Sequence, residues 1–264
     1  MSKAIIVLTR GYTKLSDYNV LLERNKQIAI HLKDKTIPLV FYHEGNITNE
    51  QQKYIQDTNE NLKMQFIDIS DKCFLKEREN VTFFPRTDPK VGGHWSWGYG
   101  YRHMCNFWFK DVYQYIEDYD YVLRIDEDCY VKFSIDDAFN KIMKNKIPFL
   151  YGKTFGDPGF VVVDLNKNTM NFLKENGYEN VNPRQQVGPY TNIFGLNMIK
   201  IRDKKEILEK YHDYIDKTNG IYIYRWGDLP LWGEIMYYIF GIDCNKFIDK
   251  SLTYYHKSHG KNVN

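Results

Sequence analysis

Short apolar runs separated by segments of helical spacing leave a chain few ways to fold, and the first third of this sequence is built from them. Ala4 to Thr9 is apolar without alternation, the pattern of a strand buried on both faces of a parallel sheet. Tyr18 to Leu32 carries Val20, Leu21, Ile28 and Leu32 near helical spacing and reads as a crossover helix. Pro38-Leu39-Val40-Phe41-Tyr42 follows as a second strand, Asn49 to Asn61 as a polar surface helix entered through Asn-Ile-Thr, and Met64 to Ile69 as an alternating third strand. A β-α-β-α-β opening points to an α/β sheet with right-handed crossovers.

Periodicity stops between Pro85 and Gly100, where glycines mix with large rings in Gly92-Gly93-His94-Trp95-Ser96-Trp97-Gly98-Tyr99-Gly100. Tyr101 to Tyr115 then reads as a helix and Tyr119 to Ile125 as a strand, with further strands at Pro148 to Tyr151 and Gly159 to Val163. Asn182 to Tyr190 is a loop, Lys204 to Lys217 a helix stopped by Asn219-Gly220, Leu231 to Phe240 an apolar helix, and Leu252 to His256 a strand or tail. No repeat, low-complexity block or linker divides the chain, so residues 1–264 read as a single domain.

Composition removes several classes. Lys and Arg number 36 against 34 Asp and Glu, a formal net charge of +2 that does not suit a dedicated nucleic-acid binder. No stretch approaches the roughly 20 apolar residues of a membrane span. Met1-Ser2-Lys3 leads directly into the first strand and is too short for a secretory signal, so a cytoplasmic protein is expected. Cys73, Cys105, Cys129 and Cys244 form no CxxC pair and signal neither a zinc site nor a disulfide framework. Aromatic residues at 16% fit either rings that stack on sugars and bases or an AT-rich coding sequence that also enriches Ile, Asn and Lys.

The chemistry concentrates where one strand ends. Tyr121-Val122-Leu123-Arg124-Ile125 runs into Asp126-Glu127-Asp128, and ligands of open α/β sheets sit beyond the carboxyl ends of strands. Two carboxylates one residue apart can share a hard divalent cation, which can bridge the phosphates of a nucleotide-sugar and stabilise a departing diphosphate. The bland reading is a solvated acidic turn; the buried strand with Arg124 inside it favours the chemical one. Asp136-Asp137 reads as the cap of a helix beginning at Ala138.

Tyr101-Arg102-His103-Met104-Cys105-Asn106-Phe107, followed by Arg124-Ile125-Asp126-Glu127-Asp128, resembles the fungal glycolipid 2-alpha-mannosyltransferases, glycosyltransferase family 15. That family carries Tyr-Arg-His-Met-Cys-Arg-Phe and then Arg-Val-Glu-Pro-Asp as its form of the DxD motif. Ile215-Asp216-Lys217-Thr218, Gly220, and Arg225-Trp226-Gly227-Asp228 before Pro230 match a third block, and Thr253-Tyr254-Tyr255-His256 matches the family's Gly-Tyr-x-His tail. The matches run in family order from about Tyr99 to His256.

The resemblance implies an α/β, single-domain GT-A fold, a Rossmann-like nucleotide-diphospho-sugar transferase with a mixed central sheet flanked by helices. It also implies a GDP-mannose donor, a glycan or glycoconjugate acceptor, Mn2+ or another divalent cation, and retention of the sugar's α configuration. Carried over by position, Asp126, Asp128 and His256 take the metal ligands, and Arg10, Tyr101, Arg102, Asp126 and Glu127 line the donor site. Asp228, with Arg225 and Tyr101, takes the catalytic positions, and Trp226 and Asn192 substrate contacts; apart from the resemblance, Trp95 and Trp97 in the irregular glycine-rich stretch are candidates for stacking on the acceptor. The bland alternative for Trp95 and Trp97 is core packing, and for Asp228-Leu229-Pro230 it is a helix cap with Pro at its first turn.

Three departures bear on mechanism and location. Glu127 replaces the family's Pro, and Asp126 is one methylene shorter than the family's Glu. Asn192-Ile193-Phe194 aligns with Asn-Phe-Glu, leaving no carboxylate where a nucleophile has been considered, which favours front-face displacement over double displacement. No membrane anchor precedes the first strand, which suggests a cytosolic relative (a large virus would suit the coding bias, its host's cytoplasm then being the location), with the Golgi lumen fitting only a trimmed chain. The alternatives are the same fold with a UDP-sugar donor and a catalytically silent sugar- or nucleotide-binding module.

Overall fold

The structure, a computed structural model, describes residues 1–83, 97–178, 182–183 and 187–263. The opening third forms as its pattern predicts: β1 (Lys3–Leu8), α1 (Asn19–His31), β2 (Leu39–His43), α2 (Asn49–Asp57) and β3 (Met64–Asp68), with β1 parallel to β2 and β2 parallel to β3. Both faces of β1 and β2 are covered, which is why they do not alternate. Ile5, Val7 and Phe41 pack toward α1 on one side, and Ala4, Ile6, Val40 and Tyr42 join the helical core on the other. The Asn-Ile-Thr entry to α2 is a capping box, in which Thr48 and Gln51 satisfy each other's backbone N–H.

Past the undescribed 84–96, α3 (Tyr99–Asn106) widens into a π turn over Phe107–Asp111 and continues as α4 (Tyr113–Ile116). The wide turn, marked by the Val112 N–H donating to the Phe107 carbonyl at 2.9 Å, lets Phe107, Trp108 and Phe109 all be buried. Next come β4 (Tyr121–Ile125), β5 (Cys129–Val131), α5 (Ile135–Lys144), β6 (Phe149–Tyr151), β7 (Thr154–Phe155), α6 (Leu165–Glu175), β8 (Gly188–Pro189) and β9 (Ile193–Asn197). Then follow α7 (Met198–Arg202), α8 (Lys205–Lys217), α9 (Gly220–Tyr224), α10 (Asp228–Glu234) with a second π turn over Ile235–Ile239, β10 (Tyr254–His256) and β11 (Lys261–Val263).

The described strands build a mixed central sheet in the order β3-β2-β1-β4-β9-β6 and a small sheet in the order β11-β10-β5. In the central sheet β9 runs antiparallel to both β4 and β6. In the small sheet His256 stands directly opposite Cys129, so the C-terminal segment is brought back to the turn after β4.

Two local expectations are corrected. Gly159 to Val163 is not a strand but a short 3₁₀ turn over Gly159–Val161 entered from Pro158, with Val161 buried; a short apolar run cannot by itself distinguish a strand from a buried turn. Asp136-Asp137 does not precede its helix. The N-cap of α5 is Ser134, whose Oγ accepts from the Asp137 N–H at 3.2 Å. Asp136 instead accepts from the N–H groups of Lys33 and Asp34 at 2.7 and 3.1 Å, tying the loop after α1 to α5.

On α8, His212 is buried against Phe109 and Tyr113, with ring centroids 4.7 and 4.9 Å away, and its Nε2 has no hydrogen-bond partner among the described residues. Burial, helped by nearby Lys110 and opposed by Asp213 and Asp216, pushes its pKa down from 6.5 to about 3. The unfolded chain takes up this proton near 6.5 and the folded chain only near 3, so the unfolded state binds more protons in between. Stability is therefore lost as pH falls through that window. The His212→Phe variant is expected to resist acid better, its unfolding midpoint in an acid titration moving to lower pH. An unmoved midpoint would refute this.

Candidate functional site

Arg124, the penultimate residue of β4, organises the acids beyond the strand end. Its guanidinium lies over the Trp108 ring at 3.9 Å from the centroid, so the π turn supplies the surface that orients it. From there it forks. Nε and Nη2 donate to the two oxygens of Asp126 at 2.7 and 3.1 Å, and Nη1 donates to Asp228 Oδ2 at 2.6 Å. Asn192 Nδ2 donates to Asp126 Oδ2 at 3.1 Å, and the Thr191 hydroxyl to Asp228 Oδ2 at 2.9 Å. Burial works against a charge on Arg124, but Asp126 and Asp228 outweigh it and hold the guanidinium more firmly ionised than in water.

Asp128 belongs to a different group. His256 Nε2 lies 3.2 Å from its Oδ2, while the other ring nitrogen, Nδ1, meets the Tyr190 hydroxyl at 3.2 Å. Burial opposes ionisation of Asp128, yet hydrogen bonds from His256 and Ser258 prevail and hold its carboxyl down at about 2. Donor atoms of Asp128, Cys129 and His256 all lie within 4.8 Å of one another. An ionised carboxylate and an imidazole turned toward it by a second hydrogen bond suit a divalent cation. Glu127 points the other way, accepting from Thr9 Oγ1 at 2.7 Å and from the Tyr12 hydroxyl at 2.9 Å.

Both groups open on a cavity of about 450 Å³. Its floor includes Arg124, Asp126, Asp128, Asp228 and His256, and its wall includes Trp97, Tyr101, Asp157, Arg225 and Gly227. Trp97 and Tyr101 meet edge to face at 4.1 Å, and the Arg225 guanidinium lies 5.2 and 5.1 Å from their ring centroids. Arg225 has φ 72°, a left-handed backbone that costs a non-glycine residue about 1–2 kcal/mol. At Gly227 the Asp157 carboxylate approaches closely: a Cβ there would lie 2.9 Å from Asp157 Oδ2, which would have to move aside. Asp157 sits 3.7 Å from Arg225 Nη2, its carboxyl pushed up by burial. A cavity of about 480 Å³ lined by Lys110, Asp111 and His212 shares no lining residue with this one.

The positions expected from sequence fall into three sets. Asp126, Asp128, His256, Asn192, Asp228, Arg225, Tyr101 and Trp97 converge on the cavity. Arg10, Arg102, Glu127 and Trp226 do not line it. Arg10 lies 5.0 Å from the Tyr12 ring centroid, and Arg102 is buried over Phe83 at 3.9 Å. Trp226 is buried, stacked on Tyr224, and donates to the Val163 carbonyl at 2.8 Å. Trp95 lies outside the described residues. Asp126 is held by Arg124, while the donor atoms that lie close together are those of Asp128, Cys129 and His256. Thr191, Tyr190 and Asp157 were missed. Each stands in a loop segment with no periodic signal, and the fold alone delivers them.

This architecture is the GT-A fold of glycosyltransferases. The chain superposes on the X-ray structure of the mannosyltransferase Ktr4p from S. cerevisiae with a TM-score of 0.66 at 20% identity, covering 87% of this chain and 64% of that one. It superposes on core-mannan synthase A (CmsA/Ktr4) from Aspergillus fumigatus in a Mn/GDP form with a TM-score of 0.69 at 17% identity, covering 89% and 69%. No family model matches the chain.

Its homologues are fungal glycolipid and alpha-1,2-mannosyltransferases of glycosyltransferase family 15, at modest identity. Alpha-1,2 mannosyltransferase KTR1 of Saccharomyces cerevisiae is 25% identical over 178 residues, 59% of this chain and 43% of KTR1, so the chain spans less than half of that relative. These homologues overturn the expectation of a cytoplasmic protein, because they are mannosyltransferases of the fungal Golgi lumen. No helix among the described residues is long and apolar enough to cross a membrane.

Proposed function

We propose that residues 1–264 act as one catalytic domain that moves a hexose, mannose foremost, from GDP-mannose to a sugar hydroxyl with retention of configuration. The observation that carries this is the pairing of Asp128 with His256 in the floor of a cavity that Arg124, Asp126 and Asp228 also line. A homologous fold in a Mn/GDP form supports Mn2+ as the cation, and Asp128 and His256 are the residues that would hold it. When bound, the cation would stabilise the negative charge that develops on the departing diphosphate.

The chain's own residues do the rest. Arg124 fixes the Asp228 carboxylate, and Thr191 occupies the same Asp228 oxygen, so the other oxygen remains to accept a sugar hydroxyl. Tyr101, Trp97 and Arg225 form an apolar and cationic wall suited to a sugar face and a phosphate. Asp157 adds a carboxylate with no hydrogen bond among the described residues, suited to accept from an acceptor hydroxyl. Phe194 is buried in β9 opposite Arg124, where the family has a carboxylate. That favours front-face displacement, with the leaving phosphate taking the acceptor's proton.

Thermal unfolding with GDP, UDP and their mannose and glucose esters, with and without Mn2+, tests the reading. GDP with Mn2+ is expected to give the largest rise, since ligand at a hundred times Kd adds about 2.7 kcal/mol to the folded state. An equal rise with UDP would move the donor to a UDP-sugar, and no rise with any nucleotide would overturn the proposal.

A further inference from the structure

We propose that Cys129 is a third protein ligand of the cation site, and that the Asp128–Cys129–His256 set therefore takes a thiophilic divalent cation, zinc or cadmium, more tightly than manganese. This rests on the reading of Asp128 and His256 above. β5 and β10 are antiparallel with Cys129 directly opposite His256, and directly opposed residues project to the same face of a sheet. Asp128 immediately precedes Cys129, and Cys129 Sγ lies 3.9 Å from Asp128 Oδ1. The thiol, an imidazole nitrogen and a carboxylate oxygen all lie within 4.8 Å of one another. Zinc bonds of about 2.0–2.3 Å to N, O and S place neighbouring ligands roughly 3.3–3.8 Å apart, so a small closure completes the set.

Two further facts select the softer ion. Tyr190 meets His256 Nδ1, and Nε2 lies between Asp128 Oδ2 and the Ser258 hydroxyl, 3.2 Å from each, an arrangement that fixes the orientation of the imidazole. The hard oxygen partner that manganese would want next is Asp126, and both its oxygens are engaged by Arg124 and Asn192. What remains is one carboxylate, one imidazole and one sulfur, a donor set that favours zinc over manganese. On ligation the Cys129 S–H bond breaks, a sulfur–metal bond forms and the proton passes to the buffer.

The full chain, freed of metal with a chelator, is titrated with cadmium while the ultraviolet sulfur-to-cadmium charge-transfer absorption is recorded. Manganese binding is followed separately by electron paramagnetic resonance. One equivalent of cadmium is expected to saturate the band. Cys129→Ser and Cys129→Ala should both abolish it and weaken cadmium binding by ~10-fold or more, the scale on which loss of even an outer-shell group acts; manganese affinity should change less. Thermal melts of the metal-free variants report whether each is folded, and the two substitutions differ enough in polarity that one serves if the other fails. Binding of either cation by the wild type without a sulfur band would overturn thiol ligation while leaving the cation site standing, and so would a band that survives in the folded Cys129 variants. Binding of neither cation would overturn the reading of Asp128 and His256 as well.

Discussion

Asp128→Ala is expected to abolish cation-dependent turnover of the sugar nucleotide, lowering kcat by about 10²–10³-fold or more, the scale set by removing one element of charge stabilisation at a departing group. The residue stands where the turn after β4 meets the strand carrying His256, and its carboxylate is already ionised well into acid. It therefore presents charge to the cavity at any working pH. Its removal should leave the fold nearly intact, because the side chain is partly exposed and its contacts lie on the cavity face of the site rather than in the core. Turnover is read as release of nucleoside diphosphate from the sugar nucleotide, with and without acceptor, alongside a thermal melt. Wild-type turnover in a folded variant would sink the assignment of Asp128, and with it the cation-dependent mechanism.

Arg124→Met is expected to act on stability rather than on chemistry alone. The substitution leaves half-buried Asp126 beyond β4 and buried Asp228 at the start of α10 without the guanidinium that binds them together. Removing one partner of a buried charge cluster costs about 3–5 kcal/mol, because the remaining charges have lost solvent and compensation alike. At about 2–4 °C per kcal/mol for chains approaching this size, the melting temperature should fall by on the order of 10 °C. Adding Asp126→Asn and Asp228→Asn to Arg124→Met should recover much of the loss, since the stranded charges are then gone. A fall of less than about 1 kcal/mol for Arg124→Met alone would mean that the three groups do not hold one another.

The parallel half of the fold was legible because both faces of β1 and β2 are covered, and a strand covered twice writes itself as an unbroken apolar run. β9 left no such mark. Ile193-Phe194-Gly195-Leu196-Asn197 is short and interrupted by glycine, and its place between β4 and β6 depends on pairings made far away in sequence. The acidic turn was legible as chemistry but not in its division of labour. Spacing suggested that Asp126 and Asp128 share a cation; the guanidinium two residues upstream takes the first of them. An arginine inside an apolar strand was a visible signal that a buried acid must lie near it, and Asp228 is one such partner. Cys129 escaped because ligand spacing is read along one segment, whereas here a strand pairing assembles the set.

That pairing has a kinetic meaning. His256 is delivered to Asp128 by a strand whose backbone is hydrogen-bonded to β5 on one side and to β11 on the other. In the proposed cation site the backbone that carries the imidazole cannot move away as a loop would, because β10 is the central strand of a three-stranded sheet that has to open first. Departure of a bound ion and exchange of the β10 amides with solvent would then share one opening event, so the residence time of the ion is set by the local stability of that small sheet.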